Sequence, residues 1–469
     1  METSLPPDDR PGEACGVLGL YAPGHEVARL AYFGLFALQH RGQESAGIAV
    51  SDADTMTVYK DLGLVDQVFD ESVLAGLTGH VAVGHTRYST TGSPLWENSQ
   101  PVYRQVGENG IAVAHNGNLT NTRQLSDEMG AMPATTDSEL IAEAIANEME
   151  NGVALEKAIE ATVGRLEGAF TLTVMDQTRL VGVRDRHGFR PLCIGRKNSG
   201  WVLASETAAL DLLGAELVRD VEPGEIVVID DEGVTTTSLA PIESGGLCLF
   251  EFVYFARPDS ILYGNNVHAA RRRMGEELAR QDPADADVVV PVPESGIPAA
   301  QGFAAAAGLP FSDGLVKNRY VGRTFIQPAQ SIRDRGVRLK LNAMPGELNG
   351  RRVVLVDDSI VRGSTTRQLV SMVREAGATE VHLRISSPPY RWPCFYGMDT
   401  GDRSTLLAAG RSVEDIAAFL DVDSLAYLDL ARLITATGGP VDGFCTACLS
   451  GDYPTDVPTT GDKFLLERS

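Results

Sequence analysis

Four branched apolar residues in a row, Val353-Val354-Leu355-Val356, run directly into Asp357-Asp358 and then into a turn, Ser359-Ile360-Val361-Arg362-Gly363-Ser364-Thr365-Thr366. An apolar run without alternation predicts a strand buried on both faces, the habit of parallel sheets covered by helices. The neighbouring pattern agrees, with strands at Val288 to Val292 and Glu380 to Ile385 and helices at Ile297 to Ala307 and Thr365 to Ala376. A Gly-, Ser- and Thr-rich turn at a helix N-terminus offers hydroxyls, backbone N–H groups and the positive dipole end to a phosphate. Two adjacent carboxylates would repel a bare phosphate, so they suit sugar hydroxyls or a Mg²⁺ bridging to diphosphate oxygens. The turn lacks the Gly-Lys-Ser/Thr of a Walker loop.

The front half reads differently. From Cys15 to about Val234 the pattern predicts short strands at Val17 to Tyr21, Gly47 to Ser51, Val81 to His85, Ile111 to His115, Phe170 to Met175, Trp201 to Ser205 and Glu225 to Ile229. Helices are expected at Val27 to Gln39, Ser138 to Glu148 and Leu155 to Leu166, the middle one capped by Asp137-Ser138. This is a layered α+β region, with a boundary near residue 240 at Gly245-Gly246.

Polar clusters are expected at the ends of these elements: Gln39 to Gly47, Gly84 to Thr90 and His115 to Asn118. Singly they read as turns. Together with Cys15 they supply Arg87 as an anchor for a carboxylate, Asn116 and the Gly117 N–H as oxyanion donors, and Asp137 as a holder of an ammonium, the two charges of an α-amino acid. A thiol in an apolar setting is by default a small core residue. Removal of Met1 to Ala14 would instead make Cys15 N-terminal, with its own α-amine, of pKa about 7.7 to 8, as base.

A chain of 469 residues that is 43% hydrophobic and 22% charged has two domains' worth of core, and its net charge of −23 argues against nucleic acid as partner. No stretch has the length and apolarity of a signal core or a membrane span, so a cytoplasmic location is expected. Within this acidic chain, Lys317 to Lys340 carries seven basic residues against one acid, Asp334, and reads as a flap over a polyanionic substrate. Pro293-Glu294-Ser295-Gly296 reads as a companion turn for pyrophosphate, and Arg271-Arg272-Arg273 as a helix surface. Of six cysteines, Cys193 reads as core; Cys445 and Cys448 form a C-x-x-C pair that Cys248 and Cys394 complete to four thiols, the right number for zinc or an iron–sulfur cluster.

Cys15-Gly16-Val17, Gln39-His40-Arg41-Gly42-Gln43, Gly84-His85-Thr86-Arg87-Tyr88, His115-Asn116-Gly117-Asn118, Tyr254 to Ser260, Lys317 to Phe325 and the 353 to 366 loop together resemble the glutamine phosphoribosylpyrophosphate amidotransferase family, over nearly the whole chain. The resemblance implies a propeptide over residues 1–14, an N-terminal-nucleophile glutaminase of αββα sandwich architecture over 15–240, and a type I phosphoribosyltransferase with a doubly wound parallel sheet and a C-terminal cluster-binding segment over 241–469. It implies Cys15 as nucleophile, Asn116 and Gly117 as oxyanion holders, and Arg41, Arg87 and Asp137 at the glutamine. Asp357 and Asp358 would serve ribose and Mg²⁺; Ser359, Arg362, Gly363, Ser364, Thr365 and Thr366 the 5′-phosphate; Ser295, Lys317 and Arg323 the diphosphate side. Cys248, Cys394, Cys445 and Cys448 would hold a [4Fe-4S] cluster. A homotetramer inhibited by purine nucleotides is implied as well. Ser364 departs from the Thr of many members but keeps the hydroxyl.

Two rivals stand beside this reading. Another N-terminal-nucleophile amidotransferase would have no use for the Asp357-Asp358 loop. A non-catalytic, phosphoribosyl pyrophosphate-binding redox sensor would lose nothing on substitution of Cys15.

Overall fold

The structure is a computed structural model that describes residues 14–130, 134–239, 246–318, 340–439, 443–458 and 466–468. Two antiparallel sheets stack in the front half. The first has seven strands in the spatial order Glu216–Asp220, Cys193–Lys197, Gly200–Ala204, Gly16–Tyr21, Val81–Arg87, Ser45–Ser51, Met56–Leu62. The second has six, in the order Val234–Ser238, Glu225–Ile229, Leu180–Arg184, Gly168–Met175, Asn109–Leu119, Val102–Val106.

Three separate apolar layers hold this arrangement. Val17, Val83, Ala112, Ala114 and Leu180 fill the space between the sheets. The helix Val27–Ala37 covers the outer face of the first sheet through Ala31 and Leu35, and the helices Asp137–Glu150 and Leu155–Val163 cover the second through Ile141, Ile145 and Ile159. The result is an αββα sandwich, in which alternate residues of each inner strand serve two different cores.

Every expected front-half element is present, but the polar clusters sit differently. His85 and Arg87 belong to the strand Val81–Arg87, and His115 to Asn118 lie inside the strand Asn109–Leu119. They are extended because strand pairing continues through them, Asn116 opposite Thr171 and Gly117 opposite Phe170. The helix cap also moves by one residue: Thr136 caps the backbone N–H of Glu139, and Asp137 is the first helical residue. Strands such as Met56–Leu62, an exposed edge strand with a polar pattern, and Leu180–Arg184 lie outside the expected set.

The later half carries a four-stranded parallel sheet, Val288–Pro291, Arg352–Asp357, Glu380–Ile385, Ser424–Tyr427. Val354 and Val356 face the side of Met274 and Phe303, from the helices Val267–Gln281 and Ile297–Ala307; Val353 and Leu355 face Leu369 and Ile416, from Ser364–Glu375 and Val413–Leu420. The run of four apolar residues thus serves both faces, as its lack of alternation predicts. The strand ends at Asp357, which delivers the two acids to the sheet's C-terminal edge, where ligands of open α/β sheets bind.

One expectation is overturned here. Arg271 is buried, not on a helix surface, because it shares the inward stripe of Val267, Ala270, Met274 and Leu278. Its guanidinium donates to the carbonyls of Phe252 and Ala256, each at 2.8 Å. Arg273 turns to the carbonyls of Ala436 and Thr437, so only Arg272 of the three is exposed.

Candidate active sites and the cavity between them

Cys15 precedes the strand Gly16–Tyr21, whose neighbours in the sheet bring Thr86 opposite Gly16 and Arg87 opposite Ser45. The thiol donates to the Tyr88 carbonyl at 3.2 Å and accepts from the Tyr88 N–H at 3.4 Å. Burial pushes it up to about 11, against the pull of Tyr88 and Arg87. Arg87, Glu44 and Asp137 all act on its charge, so the separate sequence clusters meet around one sulfur.

Arg87 is buried, donates to the carbonyls of Ser93 and Thr91 at 3.2 and 3.1 Å, and lies 3.6 Å from Glu44. The Asn116 side-chain N–H₂ is buried and has no hydrogen-bond partner among the described residues. A buried, unpartnered donor costs free energy of about 1–3 kcal/mol, which a developing oxyanion would recover. Gly117 has φ +152°, and a Cβ there would lie 2.1 Å from the Ala169 carbonyl oxygen, so only glycine fits. Asp137 accepts from the Leu119 and Ser138 N–H groups at 3.1 and 2.9 Å. His85 is fully buried behind these groups, and desolvation pulls it down to about 3, so it stays neutral.

Arg41 is behind the nucleophile. Its Nε donates to the Cys15 carbonyl at 3.0 Å, and its terminal nitrogens reach Glu206 at 2.6 Å and both carboxylate oxygens of Glu251 at 2.8 and 3.0 Å. It holds the backbone of Cys15, a different task from the glutamine contact expected of it. Glu206 and Glu251, absent from the expected set, complete this buried charge cluster; a carboxylate between Phe250 and Phe252 is the local signal that marks Glu251.

At the second site, Asp357 Oδ1 accepts the Asp358 N–H at 2.9 Å and Asp358 accepts from the Ser359 hydroxyl. Burial pulls the Arg271 guanidinium down to about 10, with the Asp358 charge opposing it. Gly363 stands before the helix Ser364–Glu375 with φ +81°, and no side chain caps that helix, so its first N–H groups face the turn. Ser364, Thr365 and Thr366 form its first turn, after Ser359 and Arg362 in the loop. A Cβ on Gly363 would fall 2.5 Å from Leu407 Cδ2. Gly363→Ala is therefore expected to shift the loop and raise KM for the phosphorylated substrate about tenfold, at a stability cost of about 1–2 kcal/mol. Steady-state kinetics beside thermal unfolding checks this; an unchanged KM would free the loop of that role.

The Ser295 hydroxyl is buried and unpartnered among the described residues. Lys317 ends the strand Leu315–Lys317, donates to Glu294 at 3.0 Å, and pairs opposite Leu341 of Leu341–Ala343, so the two ends of the basic segment form a hairpin stem. Arg323 and the rest of the expected flap, 319–339, lie outside the described residues.

A pocket of about 570 Å³ is lined by residues from both halves of the chain. Ala14, Arg41 and Gln43 line it together with Tyr254, Phe255, Ala256 and Arg257 and with Glu294, Ser295 and Lys317.

The last constellation is the four thiols. Cys248 and Cys445 stand opposite each other in a short parallel pairing, and the charges of Cys248, Cys394 and Cys445 all bear on Cys448. Burial, then mutual repulsion, push the Cys445 and Cys448 thiols well up, a conflict that a cationic metal centre would relieve. Among the described residues no three His, Cys, Asp or Glu side chains converge on a single metal-ion position. Cys193 is a core residue, donating to the Ala204 carbonyl.

Fold and sites together define a glutamine amidotransferase joined to a phosphoribosyltransferase. Residues 85–212 match the glutamine amidotransferase domain family and residues 259–386 the phosphoribosyl transferase domain family. The chain belongs to the amidophosphoribosyltransferase family. It is 53% identical to the amidophosphoribosyltransferase of Synechococcus elongatus, over 98% of this chain and 95% of that one, and 51% identical to that of Mycobacterium tuberculosis, over 98% and 90%. Among solved structures it is similar to the B. subtilis glutamine phosphoribosylpyrophosphate amidotransferase complexed with ADP and GMP, at 43% identity and TM-score 0.88, covering 95% of this chain and 98% of that chain. A structure described as the allosteric regulatory enzyme of purine biosynthesis matches at 44% identity and TM-score 0.89, covering 95% and 97%. No described helix is long and apolar enough to cross a membrane.

Proposed function

We propose that the chain hydrolyses glutamine at Cys15 and uses the released ammonia to displace pyrophosphate from C1 of phosphoribosyl pyrophosphate, giving 5-phosphoribosylamine. The pocket that brings Ala14 and Arg41, the neighbours of Cys15, together with Ser295 and Lys317 carries this reading, because two independent sites gain a shared purpose only if something passes between them. Arg87 holds the glutamine carboxylate and Asp137 its ammonium. The Cys15 thiolate attacks the amide carbon, the oxyanion forms against Asn116 and the Gly117 N–H, and ammonia leaves as the thioester forms; water then releases glutamate. Ammonia handed directly from one site to the other is not protonated in bulk water. At the far end Asp357 and Asp358 orient the ribose hydroxyls, the turn 359–366 holds the 5′-phosphate, and Ser295 with Lys317 and Arg323 faces the diphosphate. Mg²⁺ held by Asp357, Asp358 and Ser295 would neutralise the diphosphate charge. An assay of product formation with glutamine, then with ammonium salt, tests the division: both nitrogen sources are expected to work, and a chain active with neither would end the proposal.

Removal of residues 1–14 belongs to the same proposal. While Ala14 is attached, the nitrogen of Cys15 is an amide and cannot take the thiol proton, and burial keeps that thiol protonated up to about 11. Iodoacetamide is therefore expected to label Cys15 of the uncleaved chain only as the pH approaches that value, and the processed chain well below it. Superimposable pH profiles would contradict the role of the amine.

Cys248, Cys394, Cys445 and Cys448 are proposed to hold a [4Fe-4S] cluster. The charges of Cys248, Cys394 and Cys445 bear on Cys448, and Cys248 stands opposite Cys445; the choice of a cluster over one zinc follows the family resemblance. When bound, the cluster would cross-link the C-terminal segment to the segment of Cys248. A cytoplasmic homotetramer inhibited by purine nucleotides completes the proposal, supported by the ADP and GMP bound to the B. subtilis relative.

A further inference from the structure

The carbonyl of the nucleophile is tied, through two buried ion pairs, to the segment that carries the cysteines. Arg41 bonds the Cys15 carbonyl at 3.0 Å and grips Glu251 with both terminal nitrogens. Glu251 opens a π-helical turn, Glu251–Phe255, three residues after Cys248. From its other side Arg190 donates to the same carboxylate oxygen at 3.2 Å and to the Tyr396 carbonyl, two residues after Cys394, at 2.9 and 3.2 Å. All three side chains are fully excluded from solvent.

We propose that Glu251 is a positioning residue of the glutaminase site: it fixes Arg41, which sets the backbone of Cys15, and Arg190 anchors it to the backbone at Tyr396, two residues after Cys394. A carbonyl held by a guanidinium has one orientation, and in an N-terminal residue that orientation also sets where the amine and the thiol point. Glu251 lies beyond the matched glutaminase region, in a segment that pairs through Cys248 with Cys445, so the nucleophile is aligned only when that segment is in place. Long buried ion pairs transmit such alignment well because neither partner has water as an alternative.

The inference rests on Cys15 being the glutaminase nucleophile. Glu251→Gln keeps the shape and removes the charge that Arg41 and Arg190 share. In the processed full chain it is expected to lower glutamine-dependent kcat about 10²-fold, the effect of a misplacement near 1 Å, while ammonia-dependent synthesis and KM for phosphoribosyl pyrophosphate stay within about twofold. Iodoacetamide labelling of Cys15 should slow in parallel. Stripping bound metal with EDTA should slow that labelling in the unaltered protein and add nothing in the variant. If Glu251→Gln fails to fold, Glu251→Asp, which keeps the charge and shortens the reach, should give the same split. Equal loss of both activities, no loss of either, or an EDTA effect undiminished by the substitution would overturn the proposal. If Cys15→Ala itself spared glutamine use, the functional reading would have failed instead.

Discussion

Cys15→Ala is expected to lower glutamine-dependent synthesis by at least about 10³-fold while synthesis from ammonia at high pH stays within about twofold. The first number follows from chemistry: without the thiol no thioester forms, and Asn116 and Gly117 have no oxyanion to hold. The second follows from architecture. Cys15 stands directly before a strand of the first antiparallel sheet, and the Asp357-Asp358 turn lies at the edge of a separate parallel sheet. Alanine also fits the site, since Cys15 is packed in a space that loses one sulfur and no backbone bond; the Arg41 link goes to its carbonyl. Parallel assays with the two nitrogen sources read the result. Loss of both with the fold intact would mean that the sites are not separable.

Asp358→Ala should have the opposite signature, with both nitrogen sources failing by roughly 10²-fold or more. The residue is buried, accepts from the Ser359 hydroxyl, and its charge supports that of Arg271 against burial. Its loss removes a ligand for ribose or Mg²⁺ and leaves Arg271 less balanced, so the fold must be followed separately. Asp358→Asn keeps the shape and isolates the charge. Unimpaired synthesis in the Asn variant, with bound substrate measured by calorimetry, would take the loop out of the site.

What could be read from residues alone follows the range of the forces involved. The run 353 to 356 declares its two-sided burial because periodicity is local, and the sheet bears this out with Val353 and Val354 facing different cores. Asn116 and Gly117 were legible as donors, yet as turn residues, since nothing nearby says that the strand Gly168–Met175 continues the pairing past them. Arg271 reads as surface because three arginines in a row look solvated, whereas the helix stripe buries the first of them. Glu206 and Glu251 were invisible as partners of Arg41: they lie 165 and 210 residues away in sequence, and only folding brings them together.

The transfer itself is the central claim, and isotope competition addresses it directly. Glutamine labelled with ¹⁵N in its amide is supplied to the processed enzyme together with phosphoribosyl pyrophosphate and an excess of unlabelled ammonium, and the product nitrogen is read by mass spectrometry. If ammonia passes directly from Cys15 to the second site, the product carries ¹⁵N far above its share of the total ammonia. A product whose label matches the bulk pool would contradict the account.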